Sequence, residues 1–218
     1  SGGRLLVTDW SGDRLLALDP RDGKVLNATA TGRAPAGLAV DETRGRVFVA
    51  EREADSVGVF DLADLAPRGA VAVGRAPFAV AVDGERVVAV NVRSAAISLI
   101  DAESLAVSAT VPVGQMPYAA VGTGAGRLLV TNQQSGTVSV VAPGEGGSFR
   151  VENAKVGAYP EGIALVDGGR FALVANWFSD DVRLLDPATG ATVATITTDA
   201  GPRMVVAVDG PVCGDAAD

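Results

Sequence analysis

The sequence predicts an all-β fold, a five-bladed β-propeller whose blades each contain four antiparallel strands. Three observations predict it. Two motifs return along the chain at intervals of about 42 residues. Between them, each unit contains four short apolar runs separated by Gly, Pro, Asp or Ser, the pattern of strands and turns. No segment keeps the helical period of about 3.6 residues over two turns. Four short strands in a repeat of this length are typical of a propeller blade.

The first repeated motif is a segment that ends in a proline and precedes an apolar run. Its prolines are spaced by 42, 40, 43 and 42 residues, and they are Pro35, Pro77, Pro117, Pro160 and Pro202. The second motif is an apolar run that ends in a polar residue, with spacings of 42, 40, 41 and 44 residues. Its last residues are Asp9, Glu51, Asn91, Asn132 and Asn176. Two independent motifs with one period indicate a repeat protein.

One unit shows how the elements are assigned. After Pro77, residues 78–82 form the first predicted strand, residues 83–85 a turn, and residues 86–91 the second strand. Residues 96–100 alternate apolar and small polar side chains as the third strand, and residues 106–113 form the fourth. An aspartate ends the third run in four units, and we interpret it as a turn cap. These aspartates are Asp19, Asp61, Asp101 and Asp186, with Ala142 in the remaining position.

The repeat divides the chain into blades at about 32–73, 74–113, 114–156 and 157–199. Residues 4–31 supply only the second, third and fourth strands of a further blade, and residues 200–209 supply its first strand. We therefore expect the C-terminal strand to join the N-terminal blade and close a complete ring, which removes open sheet edges. The prediction is a single propeller domain over residues 1–210, followed by a tail over residues 211–218 that contains Cys213.

Composition excludes several classes of function. The chain has 218 residues, no histidine and one cysteine, so it cannot form a histidine-based triad, a histidine-ligated zinc or haem site, or an intramolecular disulfide. A net charge of −8 disfavours nucleic acid and anionic membranes as partners. No apolar run is long enough for a transmembrane helix, so we expect no membrane insertion. The sequence indicates no cofactor and no metal, and we expect a monomer.

The repeat resembles the YVTN/NHL-type β-propeller repeats. The second motif carries the similarity as Leu129-Val130-Thr131-Asn132, Leu6-Val7-Thr8-Asp9 and Leu173-Val174-Ala175-Asn176, although the leading Tyr is replaced by Leu or Val. The Gly-x-x-Pro segment and Leu99-Ile100-Asp101 are also typical. The resemblance extends to about Gly210 and implies a bacterial protein of the periplasm or cell exterior. Such propellers include surface-layer and periplasmic binding proteins, lyases, lactonases and cofactor-dependent dehydrogenases, so the resemblance specifies the fold and leaves the function open.

Propeller geometry predicts where a site lies. The loop that ends at each repeated proline, here called the proline loop, shares a face with the loop that joins the second strand to the third, here called the central loop. Six of the ten aromatic residues fall in these loops. Aromatic and arginine side chains together are typical of a recognition surface. We predict a ligand site made of Trp10, Arg33, Arg52, Arg75, Phe78, Arg93, Tyr118, Gln133, Tyr159, Trp177, Phe178 and Arg203. Trp10 and Trp177 occupy equivalent positions in blades that are adjacent if the ring closes.

Three functions fit such a face. The first is a binding module for a small organic molecule or short peptide. The second is a histidine-independent hydrolase, lyase or isomerase with arginine stabilisation, whose acid–base candidates are Asp9, Glu51, Glu161, Tyr118 and Tyr159. The third is a surface-layer or protein-interaction scaffold that contacts other proteins through the same rim. Independently of these functions, the loop aromatics could fill the top of the channel or pack between blades, and Phe78 and Met116 could belong to the core. Glu51, Glu53 and Asp55 could hold calcium, but an acidic loop is usually only solvated. Asn91, Asn132 and Asn176 are interpreted as structural.

Overall fold

The computed structural model describes residues 3–124 and 126–208, and it confirms the predicted fold class. This part of the chain contains 19 strands in five antiparallel sheets, one for each predicted blade. The remaining regular structure is three single-turn 3₁₀ segments, Val92–Ser94, Glu145–Gly147 and Asp167–Gly169. None of the described helical segments has the length or the apolar character needed to cross a bilayer.

Each sheet follows the chain order of its strands. The first contains β1 (Leu5–Asp9), β2 (Arg14–Leu18) and β3 (Val25–Ala30). The second contains β4 (Pro35–Asp41), β5 (Arg46–Glu51), β6 (Ser56–Asp61) and β7 (Pro67–Ala72). The third contains β8 (Pro77–Asp83), β9 (Arg86–Asn91), β10 (Ala96–Asp101) and β11 (Val107–Pro112). The fourth contains β12 (Pro117–Gly122), β13 (Leu128–Asn132), β14 (Thr137–Pro143) and β15 (Phe149–Lys155). The fifth contains β16 (Pro160–Val166), β17 (Phe171–Asn176), β18 (Asp181–Leu185) and β19 (Thr192–Thr197).

Burial follows the position of a strand within its blade. In the second, third and fourth blades, the second and third strands, such as β5 and β6, are buried on both faces because neighbouring blades cover them, and they therefore have continuous apolar sequences. The fourth strands, such as β19, are exposed. Four apolar clusters form the core, and each lies between two consecutive blades. The first strands of consecutive blades contact one another, β4 with β8, β8 with β12 and β12 with β16, so they form the innermost layer, and each starts at the end of a proline loop.

The proline loop has one geometry throughout the chain. The residue before each repeated proline adopts a left-handed backbone conformation, with φ of +53° at Ala34 and +51° at Met116. In the second to fifth blades, the carbonyl of this residue accepts a hydrogen bond from the first residue of the central loop, as from Gln133 N to Met116 O at 2.9 Å. The same bond joins Arg52 N to Ala34 O at 3.1 Å. These bonds fix the two loops side by side, on the one face that the sequence predicts.

Packing explains the glycine that begins the proline loop. A Cβ on Gly114 would lie 2.6 Å from Cγ of Asn132, and a Cβ on Gly74 would lie 2.8 Å from Cγ of Asn91. Both asparagines are fully buried, and each donates a hydrogen bond to a serine of the adjacent strand. They close the space between the strand end and the loop. Their structural interpretation agrees with these contacts.

The repeated aspartates cap turns, as the sequence predicts. Asp19 Oδ1 accepts a hydrogen bond from Arg21 N at 2.9 Å, and Asp186 Oδ1 accepts one from Ala188 N at 2.8 Å. Asp101 accepts the amide of Ser104 at 2.7 Å. Hydrogen bonds to the ionised form lower the pKa of Asp101, first through the Ser104 backbone and then through its hydroxyl.

The first blade differs from the prediction in one respect. Its sheet has three strands, and residues 203–208 form no regular strand and no ladder with β1. The segment nevertheless lies where a first strand is expected beside the fifth blade. A Cβ on Gly162 of β16 would be 2.8 Å from Met204 Cα, just as a Cβ on Gly37 of β4 would be 3.1 Å from Ala79 Cα in the next first strand. The predicted position is therefore occupied without the predicted pairing.

The missing ladder leaves apolar side chains of β1 uncovered. Leu5 is 51% exposed and Val7 is 38% exposed, whereas Val47 and Val49 at the same positions of β5 are fully buried. Within residues 3–124 and 126–208, none of the four apolar clusters joins the fifth blade to the first. In the second blade, the first strand and the neighbouring blade bury the positions equivalent to Leu5 and Val7.

Candidate functional site

Six rings form two groups on the loop face. In the first group, Phe78 lies between Trp10 and Tyr118, with ring centroids 6.4 and 4.6 Å apart. In the second group, Trp177 and Phe178 have centroids 4.6 Å apart, and Tyr159 lies 4.6 Å from Phe178. The two tryptophans belong to different groups, so their equivalent positions in the repeat do not bring their rings together.

The first group lines a cavity of about 320 Å³. Phe78 and Tyr118 directly follow the repeated prolines of the third and fourth blades, so both lie at the start of a first strand, next to the proline loop. Trp10 is the first residue after β1. Its ring packs against Phe78 of the third blade, although the second blade lies between the two in the ring order. The Arg52 guanidinium lies 5.6 Å from the Trp10 ring centroid, a cation–π distance. The lining residues are Trp10, Arg52, Phe78, Val92, Met116, Tyr118 and Gln133.

Two lining residues extend the predicted set. Val92 is absent from that set, although it holds the first central-loop position of its blade, as Arg52 and Gln133 do in theirs. This equivalent position in the repeat is the sequence signal that could have identified Val92. Met116 lines the cavity, is half-buried and lies outside the four apolar core clusters.

A buried carboxylate links this cavity to the second ring group. Glu161 is 1% exposed, and it accepts hydrogen bonds from Gln133 Nε2 at 2.6 Å, Arg203 Nε at 2.7 Å and Arg203 Nη2 at 3.1 Å. The Arg203 guanidinium also stacks over the Trp177 ring, 4.2 Å from its centroid. The bond to Glu161 raises the pKa of Arg203, so this side chain keeps its positive charge.

Tyr118 is held in its neutral form. Burial is the main cause that raises the pKa of its phenol, and the negative charge of Glu161 adds to it, while Arg203 acts in the opposite direction. Tyr118 therefore offers the cavity a ring and a neutral hydroxyl. A hydroxyl of this kind donates or accepts a hydrogen bond at neutral pH.

The other acid–base candidates are engaged in structure. Glu51 is buried, and it accepts hydrogen bonds from Gly32 N and Ser56 Oγ, each at 2.7 Å. Asp9 pairs with Arg14 at 2.6 Å, and that hydrogen bond is the main cause that lowers the pKa of Asp9. Tyr159 packs among the rings of the second group.

Four arginines of the predicted site lie together on the rim of the second and third blades. Arg52, Arg75 and Arg93 line a further cavity of about 430 Å³, which shares Arg52, Val92 and Met116 with the ring-lined cavity. The Arg75 guanidinium donates to the carbonyl of Arg93 at 3.2 Å, and Arg33 donates to the carbonyl of Glu53 at 2.9 Å. The rim therefore combines positive charge with an adjacent apolar pocket.

The structure does not assemble the calcium alternative. Glu51 is bonded to Gly32 and Ser56, Asp55 accepts the amide of Ala76 at 2.7 Å, and Glu53 faces Arg52 and Arg93. No group of three or more His, Cys, Asp or Glu side chains in the described ranges could hold a metal ion. The prediction for Cys213 lies outside the described residues.

Fold and loop face together define the class: this chain is a β-propeller with an aromatic and arginine-rich loop face. Solved structures support the fold. A functionally unknown protein from Desulfotomaculum acetoxidans superposes with a TM-score of 0.81 at 15% identity, over 93% of this chain and 68% of the other. A candidate 6-phosphogluconolactonase from Bacteroides uniformis gives a TM-score of 0.77 at 14% identity, over 92% and 70%.

A third similar structure is the dihydro-heme d1 dehydrogenase NirN, with a TM-score of 0.71 at 18% identity. The match covers 90% of this chain and 44% of NirN. Identities this low show a shared fold alone. No family model matches the chain, and no curated protein matches its sequence at a significant level. The resemblance to YVTN/NHL repeats therefore stays a prediction.

Proposed function

We propose that this protein is a ligand-binding propeller that captures a small organic molecule or a short peptide on its loop face. The observation that carries the proposal is the cavity of about 320 Å³ lined by Trp10, Phe78 and Tyr118. Cavities of this size are typical of small-molecule sites, which combine apolar rings with a few polar groups. Arg52 and Gln133 supply the polar groups at its edge.

The state of the side chains favours binding over catalysis. Trp10 is 43% exposed, so a ligand that covers its ring gains apolar burial at little cost in side-chain ordering. Glu51 and Glu161, by contrast, already accept hydrogen bonds from neighbouring groups and have no free role as a general base. A face of accessible rings with engaged carboxylates fits recognition better than proton transfer.

Tryptophan emission tests this proposal. In a Trp177→Phe variant, Trp10 is the sole tryptophan, so its emission reports on the cavity. We expect a compound from a panel of metabolites and short peptides to shift this emission saturably. Tyr118→Ala should weaken that binding, whereas Phe178→Ala, an aromatic truncation in the other ring group, should leave it unchanged. If no compound moves Trp10 emission, or if both truncations act alike, the cavity is not the site.

Tyr118 supports a second candidate, a histidine-independent enzyme. Its neutral hydroxyl lies beside the Glu161–Arg203 pair, which could stabilise charge on a bound substrate. One structural neighbour is a candidate 6-phosphogluconolactonase, so sugar lactones are the first substrates to test. Tyr118→Phe keeps the ring and removes the hydroxyl. Loss of turnover with retained binding in this variant would support an enzyme, and absence of turnover in the unmodified protein would leave the binding module.

A further inference from the structure

We propose that the ligand of the loop face carries an anionic group, which binds to Arg52, Arg75 and Arg93 and displaces Glu53 from them. The proposal rests on the proposed function and specifies its ligand class: a flat apolar body that bears a carboxylate, phosphate or sulfonate. The apolar body enters the ring-lined cavity, and the anionic group enters the adjacent arginine-lined one. The two cavities adjoin, because Arg52, Val92 and Met116 line both of them.

Glu53 already shows how an anion fits this rim. One of its carboxylate oxygens, Oε1, pairs with Arg52 Nη1, and the other, Oε2, lies 3.5 Å from Arg93 Nη1. A single carboxylate therefore spans two guanidinium groups, as the anionic group of a ligand would. Glu53 and Arg93 are exposed, so Glu53 can turn into solvent without exposing buried surface. It acts as an internal counter-ion that holds the site until a ligand arrives.

The local charge favours an anion although the protein as a whole does not. The net charge is −8, yet four arginines lie here: Arg33, Arg52, Arg75 and Arg93. The carboxylates on the same loop are Glu51, Glu53 and Asp55. Glu51 and Asp55 are bonded to backbone amides, which leaves Glu53 as the carboxylate that pairs with these guanidinium groups. Displacing Glu53 exchanges one carboxylate for another anion at little electrostatic cost.

A matched pair of fluorescent probes tests the proposal. One is 1-anilinonaphthalene-8-sulfonate, and the other is N-phenyl-1-naphthylamine, which has the same rings without the sulfonate. Binding is measured by probe emission and by quenching of Trp10 in the Trp177→Phe protein. We expect the sulfonate probe to bind about three- to tenfold more tightly than the neutral probe at low salt, as one charge-assisted contact provides. This difference should shrink as salt rises, because the rim is solvent-exposed.

Two variants separate the arginines from nonspecific charge. Arg93→Gln should remove most of the preference for the sulfonate probe and leave the neutral probe unaffected. Glu53→Gln should tighten sulfonate binding by about threefold, because no competing carboxylate remains. The matched controls are Arg68→Gln and Glu103→Gln, which make the same charge changes away from the loop face. Neither control should alter the preference.

The outcomes distinguish the two proposals. If both probes quench Trp10 with equal affinity, or if Arg68→Gln acts like Arg93→Gln, the anionic subsite is wrong while the ring-lined cavity stands. If Glu53→Gln weakens sulfonate binding, Glu53 is not a displaced counter-ion, and the proposal is overturned. If neither probe quenches Trp10, both the subsite and the binding cavity are wrong.

Discussion

Replacing Glu161 with glutamine would show how firmly the C-terminal segment 203–208 is held to the fifth blade. The segment contributes Arg203, whose side chain makes two hydrogen bonds to Glu161 and whose carbonyl accepts Gly162 N at 2.9 Å. Glutamine has nearly the same shape as glutamate, so it removes the charge with little change in volume. One of its two polar atoms is an NH₂ group, which would face Arg203 Nε in one orientation and Arg203 Nη2 in the other, as donor against donor.

The geometry sets the size of the effect. Glu161 is 1% exposed, so an unsatisfied or repelled donor at this point has no access to water and costs about 1–3 kcal/mol. The Arg203 side chain is 53% exposed and is partly resolvated when the pair is lost, which keeps the cost well below that of a fully buried pair. We expect a loss of about 2 kcal/mol. For a chain of this size, that lowers Tm by about 4–8 °C.

Thermal unfolding followed by near-UV circular dichroism measures this loss. Glu103→Gln, which neutralises an exposed glutamate paired with Arg44, is the control and should cost less than about 0.5 kcal/mol. A double-mutant cycle with Arg203→Gln should give a coupling energy of about 1–2 kcal/mol. Because Arg203 stacks on Trp177, its replacement should also change tryptophan emission. A Tm for Glu161→Gln equal to that of the Glu103 control would refute the reasoning.

Three further predictions concern pH and packing. The folded state raises the pKa of Tyr118, so this residue stabilises the protein at pH values below its ordinary pKa of 10.0. This contribution is lost as pH rises through the folded pKa. Tyr118→Phe should therefore flatten the alkaline loss of stability and remove the later-ionising component of an absorbance titration at 295 nm. Folding lowers the pKa of Asp101, so this residue stabilises the protein above its ordinary pKa of 3.8, and that stabilisation is lost as pH falls through the folded pKa. Asp101→Asn should therefore weaken the dependence of Tm on acidic pH. An unchanged acid profile would contradict this. Gly114→Ala places a methyl group against buried Asn132 and should cost about 1–3 kcal/mol in chemical denaturation, whereas Gly23→Ala, where no atom is near but φ is +71°, should cost about 1 kcal/mol.

The fold could be predicted from the sequence because the residues that repeat along the chain make local contacts. The left-handed residue and proline of the proline loop, the glycine packed on a strand-end side chain, and the aspartate turn caps each act within one blade. The pairing of residues 203–208 with β1 is different, since it depends on two segments about 200 residues apart in the chain. No local pattern fixes whether that ladder forms.

The sequence could predict that the proline and central loops lie side by side, but not the contacts that their side chains make. The repeat places Trp10 and Trp177 in equivalent positions, yet side-chain direction puts Trp10 against Phe78 of the third blade. Glu161 and Gln133 meet across 28 residues of sequence, and Arg203 completes their network from the other side. Glu51 has the residue type of a general base but serves as a buried acceptor for the Gly32 amide. Such roles depend on distances in three dimensions, within a blade and between blades, which a one-dimensional pattern does not contain.

At the left-handed residue before each repeated proline, the side chain can vary while the loop backbone keeps one conformation. The backbone bonds of the proline loop are the same at Ala34 and Tyr159, although one side chain is a methyl group and the other an aromatic ring. Loop shape is thus set by backbone and proline, while the side chains beside them vary from blade to blade. A mutation at these positions changes the side chains on the loop face without changing the backbone conformation of the loop. If the proposed function holds, point substitutions at these positions would change the ligand of the loop face while the loop backbone stays the same.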